Sequence, residues 1–160
     1  MSTPPENVKD VMDVVRARVK ELRGRKGWSG AQMGEQLAAL GVPWNRSVVA
    51  NFESGRRPAV SVQELLALAL VLDVAPVHLL VPLDPEPYQV TPESSHVHDS
   101  DDVWRWIKGE RPLPGTQTTA ARTFYAEVPA AEIKRRGHIY PLGTAYEVSS
   151  AGDLGERDDG

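Results

Sequence analysis

Apolar residues recur at helical spacing from the start of the chain. Val8, Val11, Met12, Val15, Val19 and Leu22 fall on one stripe, which predicts an amphipathic helix. Asn7 is placed to cap it, with Asp10 three residues on, near the positive end of the helix dipole. Arg23, Arg25 and Lys26, set among Gly24 and Gly27, suit its C-terminus. A second helix starts at Ser29, where Ser29-x-x-Gln32 has the form of a capping box. Met33, Leu37 and Leu40 give its buried stripe, and Gly41 with Pro43 stops it. The third is capped by Asn45, turns Val49 and Phe52 inward and ends at Gly55. The fourth begins at Ser61 with a second capping box to Glu64, and is expected to bury Leu65, Leu66, Leu68, Ala69 and Leu72. A short fifth helix fits Ala75–Leu80, with Pro76 in its first turn. Five short helices joined by short turns predict an all-α domain over residues 8–82.

The pattern breaks after Pro82. Residues 83–102 are rich in Pro, Ser and acid, the composition of a flexible linker. Apolar mass returns in residues 103–115 with Trp104, Trp106 and Ile107. Residues 122–150 suggest a helix near Ala130–Arg136 and a strand over His138–Val148. Residues 103–150 are read as a dimerisation or partner-binding region; Trp104 and Trp106 suit either a small core patch or its surface, since Trp and Arg are enriched at interfaces. Residues 151–160 read as a disordered tail.

Composition narrows the class. Hydrophobic residues at 41% and charged residues at 25% fit a folded, soluble protein. The absence of cysteine excludes disulfides and thiolate zinc sites, and a reducing cytoplasm is the expected location. The N-terminus lacks the profile of a signal peptide, and the apolar run around Leu65–Leu72 is too short to span a bilayer, so no membrane partner is expected. The net charge is −4, but the residues through Leu72 carry +3 and the remainder −7. For a phosphate backbone the local face matters more than the sum.

The second and third helices, joined by a break at Gly41, have the order of a helix-turn-helix, whose second helix enters the major groove. Its N-terminal residues would face base edges: Asn45, Arg46 and Ser47, with Asn51 one turn further on the same face. Arg can grip guanine with two hydrogen bonds and Asn can do so with adenine. Arg56 and Arg57 are candidates for phosphate contact, as is the amide end of helix two at Ser29. Each has a plainer reading. Asn45 is a helix cap in any case, Arg46, Ser47 and Asn51 suit a solvated face, and Arg56 and Arg57 suit a helix end. Glu53 reads as an internal partner for an arginine or a helix end, Gly55 as a left-handed terminator, and most cations of helix one as solvated surface.

At these residues the chain resembles the phage-repressor-type (Cro/C1, XRE) helix-turn-helix family. The resemblance covers about residues 8–82, and Phe52-Glu53-Ser54-Gly55-Arg56-Arg57-Pro58 is its most specific part. Ser29 stands at the family's cap, Met33-Gly34 at its Leu-Ala pair, and Leu72-Asp73-Val74 at its step into helix five. It implies a lambda-repressor-like five-helix fold, double-stranded DNA as partner, and a homodimer on inverted repeats. Two departures stand out. "QLAALGVPW" is about five residues longer than the usual path into the recognition helix, which implies a longer helix two or a wider turn. Gly30 replaces the Gln that often follows the cap.

Other chemistry has less support. His96, His98, Asp99, Asp101 and Asp102 are all metal-ligand types, but they sit in linker composition with nothing to complete a cage. Ala151-Gly152 resembles a self-cleavage dipeptide, yet no domain-sized segment follows to supply a nucleophile. No catalytic constellation and no cofactor site emerge, so an enzyme is not expected. The expectation is a DNA-binding transcriptional regulator, most simply a repressor. The rival is an antitoxin or other interaction module whose 103–150 region holds a protein partner.

Overall fold

The computed structural model describes residues 8–92, 97–115, 117–129 and 131–132. Among these the element order is β1 (Lys9–Asp10), α1 (Val11–Arg25), α2 (Gly30–Ala39), α3 (Arg46–Glu53), α4 (Val62–Val71), α5 (Val77–Leu80), β2 (Pro87–Gln89), β3 (Val97–Asp99), α6 (Ser100–Ile107) and α7 (Thr118–Ala126). All of them lie in one compact unit ending at Glu127; of the second unit, from Val128 on, only Val128, Pro129, Ala131 and Glu132 are described.

The protein is mostly helical, and the first five helices fall where periodicity puts them. Both capping boxes form: Ser29 Oγ accepts from Gln32 N and Ser61 Oγ from Glu64 N, while Gln32 and Glu64 reach back to the cap amides. The main core joins Val15, Val19 and Leu22 of α1, Met33 and Leu37 of α2, Val49 and Phe52 of α3, Leu68 and Leu72 at α4, and Leu79 of α5. Each such side chain contributes roughly 1.5–3 kcal/mol on burial.

Several expectations are corrected. Helix one starts at Val11 and is capped by Asp10, whose Oδ1 accepts from Asp13 N at 2.8 Å. Lys9 and Asp10 are extended because they pair in parallel with Tyr88 and Gln89, so the helix cannot begin earlier; Asn7 lies outside the described residues. In α4, Leu66 is 47% exposed rather than buried, and at the end of α2 Leu40 is 50% exposed. The cations of α1 are largely tied down rather than solvated. Arg18 is buried and donates to the His78 carbonyl at 3.1 Å, Arg16 donates to the Pro58 carbonyl at 3.0 Å, and Lys26 pairs with Asp73 at 2.6 Å.

The described parts of the 83–102 stretch, residues 83–92 and 97–102, differ most from a linker. β2 pairs antiparallel with β3, Tyr88 opposite His98, so the sheet order is β1-β2-β3. Tyr88 is buried with Val14, Val81 and Val103 in a second core, and its hydroxyl donates to the Leu80 carbonyl at 2.5 Å. Burial, with the Asp10 charge behind it, raises the Tyr88 hydroxyl pKa. Ser100, also buried, pins the segment: its Oγ donates to the Asp84 carbonyl at 3.2 Å and accepts from Glu86 N at 3.1 Å. An acidic, Pro-rich stretch is therefore held by a few well-placed side chains. Trp104 and Trp106 are half-buried and pack against this second core, and the Trp104 ring stacks on His78 at 5.4 Å. The expected strand over His138–Val148 lies outside the described residues, as does nearly all of the Ala130–Arg136 helix. Helix α7 has no counterpart in the sequence reading.

Candidate nucleic-acid interface

α3 is eight residues long, and its two sides are chemically distinct. Val49 and Phe52 are buried, whereas Arg46, Ser47, Ala50 and Asn51 are exposed. Asn45 is also exposed, and its Oδ1 accepts from Val48 N at 3.0 Å, so the capping role is filled. Thus Asn45, Arg46, Ser47 and Asn51 share one outward surface. Ser29 is exposed at the start of α2, and Arg56 is exposed just beyond the α3 terminus.

The turn before α3 is wide. α2 ends at Ala39, Gly41 takes φ +79°, and the chain then runs through the exposed Pro43 to the buried Trp44 before Asn45. Trp44 anchors it: the residue is buried, its ring lies 5.3 Å from Phe52, and its Nε1 donates to Glu64 at 2.8 Å. Residues 40–44 thus form a turn with its own anchor. Gly34 controls the approach of the two helices. A Cβ there would meet the Asn45 Cα at 2.9 Å and the Trp44 carbonyl oxygen at 3.1 Å, both backbone atoms. Gly30 has more room, since a Cβ would touch Val49 Cγ1 at 3.5 Å.

Two arginines lock α3 and the segment after it. Arg23 of α1 donates to both Glu53 oxygens, at 2.7 and 2.8 Å, and also to the Trp28 carbonyl at 2.6 Å. The hydrogen bonds that Arg23 donates to Glu53 raise the Arg23 pKa; burial opposes them, and the Glu53 charge adds to the rise. This is the internal role read for Glu53 in the sequence. Arg57 lies with its guanidinium 4.8 Å over the Trp44 ring and donates to Glu64 Oε1 at 2.6 Å. Burial alone would push the Glu64 carboxyl up. The hydrogen bonds from Trp44, Ser61 and Arg57, with the Arg57 charge, outweigh it and hold the pKa at about 2. Trp44, Asn51, Arg56, Arg57 and Glu64 line an open depression of about 530 Å³ beside the end of α3. Gly34, Trp44 and Glu64 were missed as contributors to this surface. A glycine inside a helical pattern and a lone Trp in a turn were the available signals.

The three acidic residues weighed as metal ligands have other partners. Asp99 caps α6, its Oδ1 accepting from Asp101 N at 2.8 Å; Asp101 pairs with Arg105 at 3.0 Å, and Asp102 pairs with Arg111. Among the described residues no group of three or more His, Cys, Asp or Glu could hold a metal ion. His96 lies outside them. No described helix is long and apolar enough to cross a membrane.

A family model described as a helix-turn-helix domain matches residues 15–80, which run from within α1 to the end of α5. No curated protein and no solved structure matches the chain.

Proposed function

We propose that the chain is a sequence-specific transcriptional regulator of the phage-repressor type. In this reading its α1–α5 unit is lambda-repressor-like, and it works in the cytoplasm as a repressor and a homodimer. The observation that carries the reading is the outward surface of α3, where Arg46, Ser47 and Asn51 stand free of the core while Val49 and Phe52 anchor the helix. Such a helix fits the major groove, whose base edges match Arg and Asn donors. Arg56, following α3, and the amide end of α2 at Ser29 flank it as phosphate contacts. Neither a cofactor nor a catalytic role is assigned.

Selection of bound sequences from random double-stranded DNA tests this. A recurrent inverted repeat, lost with Arg46→Ala, supports it. Recovery of no consensus at low salt overturns it and leaves the protein-partner role, as in an antitoxin.

A further inference from the structure

α4 is apolar on every side, yet only part of it is covered. Leu68 and its neighbours Ala67 and Ala69 are buried, while Val62 is 73% exposed, Leu66 47% and Leu70 68%. These three recur every four residues, so they form one stripe about 12 Å long on the outer face of the helix. A helix apolar all round normally lies within a core. Here the uncovered face needs an occupant.

We infer that this stripe is the self-association surface of the protein, with two copies of α4 packed antiparallel about a two-fold axis through Leu66. The inference rests on the homodimer proposed above and gives it a location. Three observations favour a second copy. The stripe is neutral: α4 carries one charged side chain, Glu64, and that carboxylate is committed to Trp44, Arg57 and Ser61. An isologous contact sets the same patch against itself, so a neutral stripe pairs without like-charge repulsion. The spacing is also symmetric. With Leu66 on the axis, Val62 of one copy meets Leu70 of the other on both sides. Finally, Asp73, the acid past the C-terminal end of the stripe, is ion-paired with Lys26 at 2.6 Å, so its charge does not oppose the approach of a second copy.

Three large side chains per copy are few against the 20–30 residues a side of a standard interface, roughly. Association in free solution is therefore weak, and two half-sites on one DNA would raise the effective concentration. The tryptophans of α6 are not needed for pairing, since they already pack on the second core.

The absence of cysteine makes the geometry directly measurable in the full-length chain. Under mild oxidation, Leu66→Cys alone should give a disulfide dimer on a non-reducing gel. Val62→Cys alone and Leu70→Cys alone should remain monomeric, while their mixture should cross-link. Leu66→Glu should raise the dimer dissociation constant by about tenfold or more in light scattering, because two like charges would meet on the axis. Circular dichroism confirms that each variant is folded. Cross-linking of Val62→Cys with itself overturns the antiparallel arrangement. A dimer in light scattering with no Leu66→Cys disulfide overturns this interface but keeps the homodimer, and a monomer throughout overturns both. None of these outcomes depends on DNA, so the DNA-binding reading stands or falls separately by sequence selection.

Discussion

Arg57 and Glu64 form an ion pair at 2.6 Å, with the Arg57 guanidinium lying 4.8 Å over the Trp44 ring. The same carboxylate accepts from Trp44 Nε1 and from the Ser61 amide. One side chain thus fixes the turn before α3, the loop after it and the start of α4.

This contact ties stability to pH. The folded Glu64 pKa, about 2, lies below its ordinary value of 4.5. A depressed carboxylate pKa contributes stability that is full above the unfolded value and fades as pH falls toward the folded one. The contribution is on the order of 3 kcal/mol near neutrality, lost between about pH 4.5 and pH 2. Glu64→Gln keeps an acceptor for Trp44 but has no titrating group. The variant should be less stable than the parent at pH 7 and should differ from it little at pH 2.5. Urea unfolding at both pH values checks this, and an equal difference at the two would show that Glu64 does not titrate in that window.

Gly34→Ala is the sharpest test of how the interface is built. The added methyl would meet the backbone at Asn45 and Trp44, which cannot rotate away. The α3 start must then move outward, at a cost of about 1–3 kcal/mol. Operator affinity should fall further than stability alone explains, because Asn45 and Arg46 shift with the backbone. Gly30→Ala, with a nearest contact of 3.5 Å, is the control and should leave both nearly unchanged. Thermal melts paired with DNA titrations separate the two effects.

The contrast between these glycines shows what the sequence could reveal. Helices one to five were legible because their stripes and caps are local: Ser29 with Gln32 and Ser61 with Glu64 signal helix starts within four residues. The internal role of Glu53 was also legible, though not the identity of Arg23 as its partner. Gly34 was not, since its need for a missing side chain arises from Asn45, a neighbour in space and not within its own helix. Trp44 belongs to a turn and has no periodicity to place it. Tyr88 is a single aromatic in a Pro-rich, acidic stretch, and its partners Val14 and Val103 lie far away in sequence. Leu66 was misplaced for the opposite reason. When every face of α4 is apolar, spacing cannot say which face is inside.

The exposed cations separate by their surroundings. Arg46→Ala should cost about 1–3 kcal/mol at one operator position and relax specificity there. Arg56→Ala should weaken all sequences alike and reduce the salt slope by about one counterion. Arg57→Ala should reduce that slope less, because Arg57 must leave Glu64 before it can reach a phosphate. Binding isotherms over a salt series give the three slopes, and a slope loss for Arg57→Ala equal to that for Arg56→Ala would mean the Glu64 contact does not compete.

The second core predicts where the chain can be cut. A fragment ending at Pro82 retains the main core but leaves Val14 and Val81 without Tyr88 and Val103. It also loses the strand pairing at Lys9 and Asp10 and the tie from Lys9 to Glu86 at 2.9 Å. A fragment ending at Glu127 keeps all of these. The shorter fragment should remain helical yet unfold at lower urea, and Tyr88→Ala in the full chain should reproduce much of the loss, about 3–5 kcal/mol, as expected for a buried aromatic. Tyr88→Phe removes only the hydrogen bond to the Leu80 carbonyl and should cost about 1 kcal/mol. Both substitutions lie outside the helix-turn-helix match at residues 15–80, so the effect on DNA affinity should be small at temperatures where the variants stay folded. Equal urea midpoints for the two fragments would mean that residues 83–127 add no stability to the first five helices, and that Tyr88 fills a core the domain can do without.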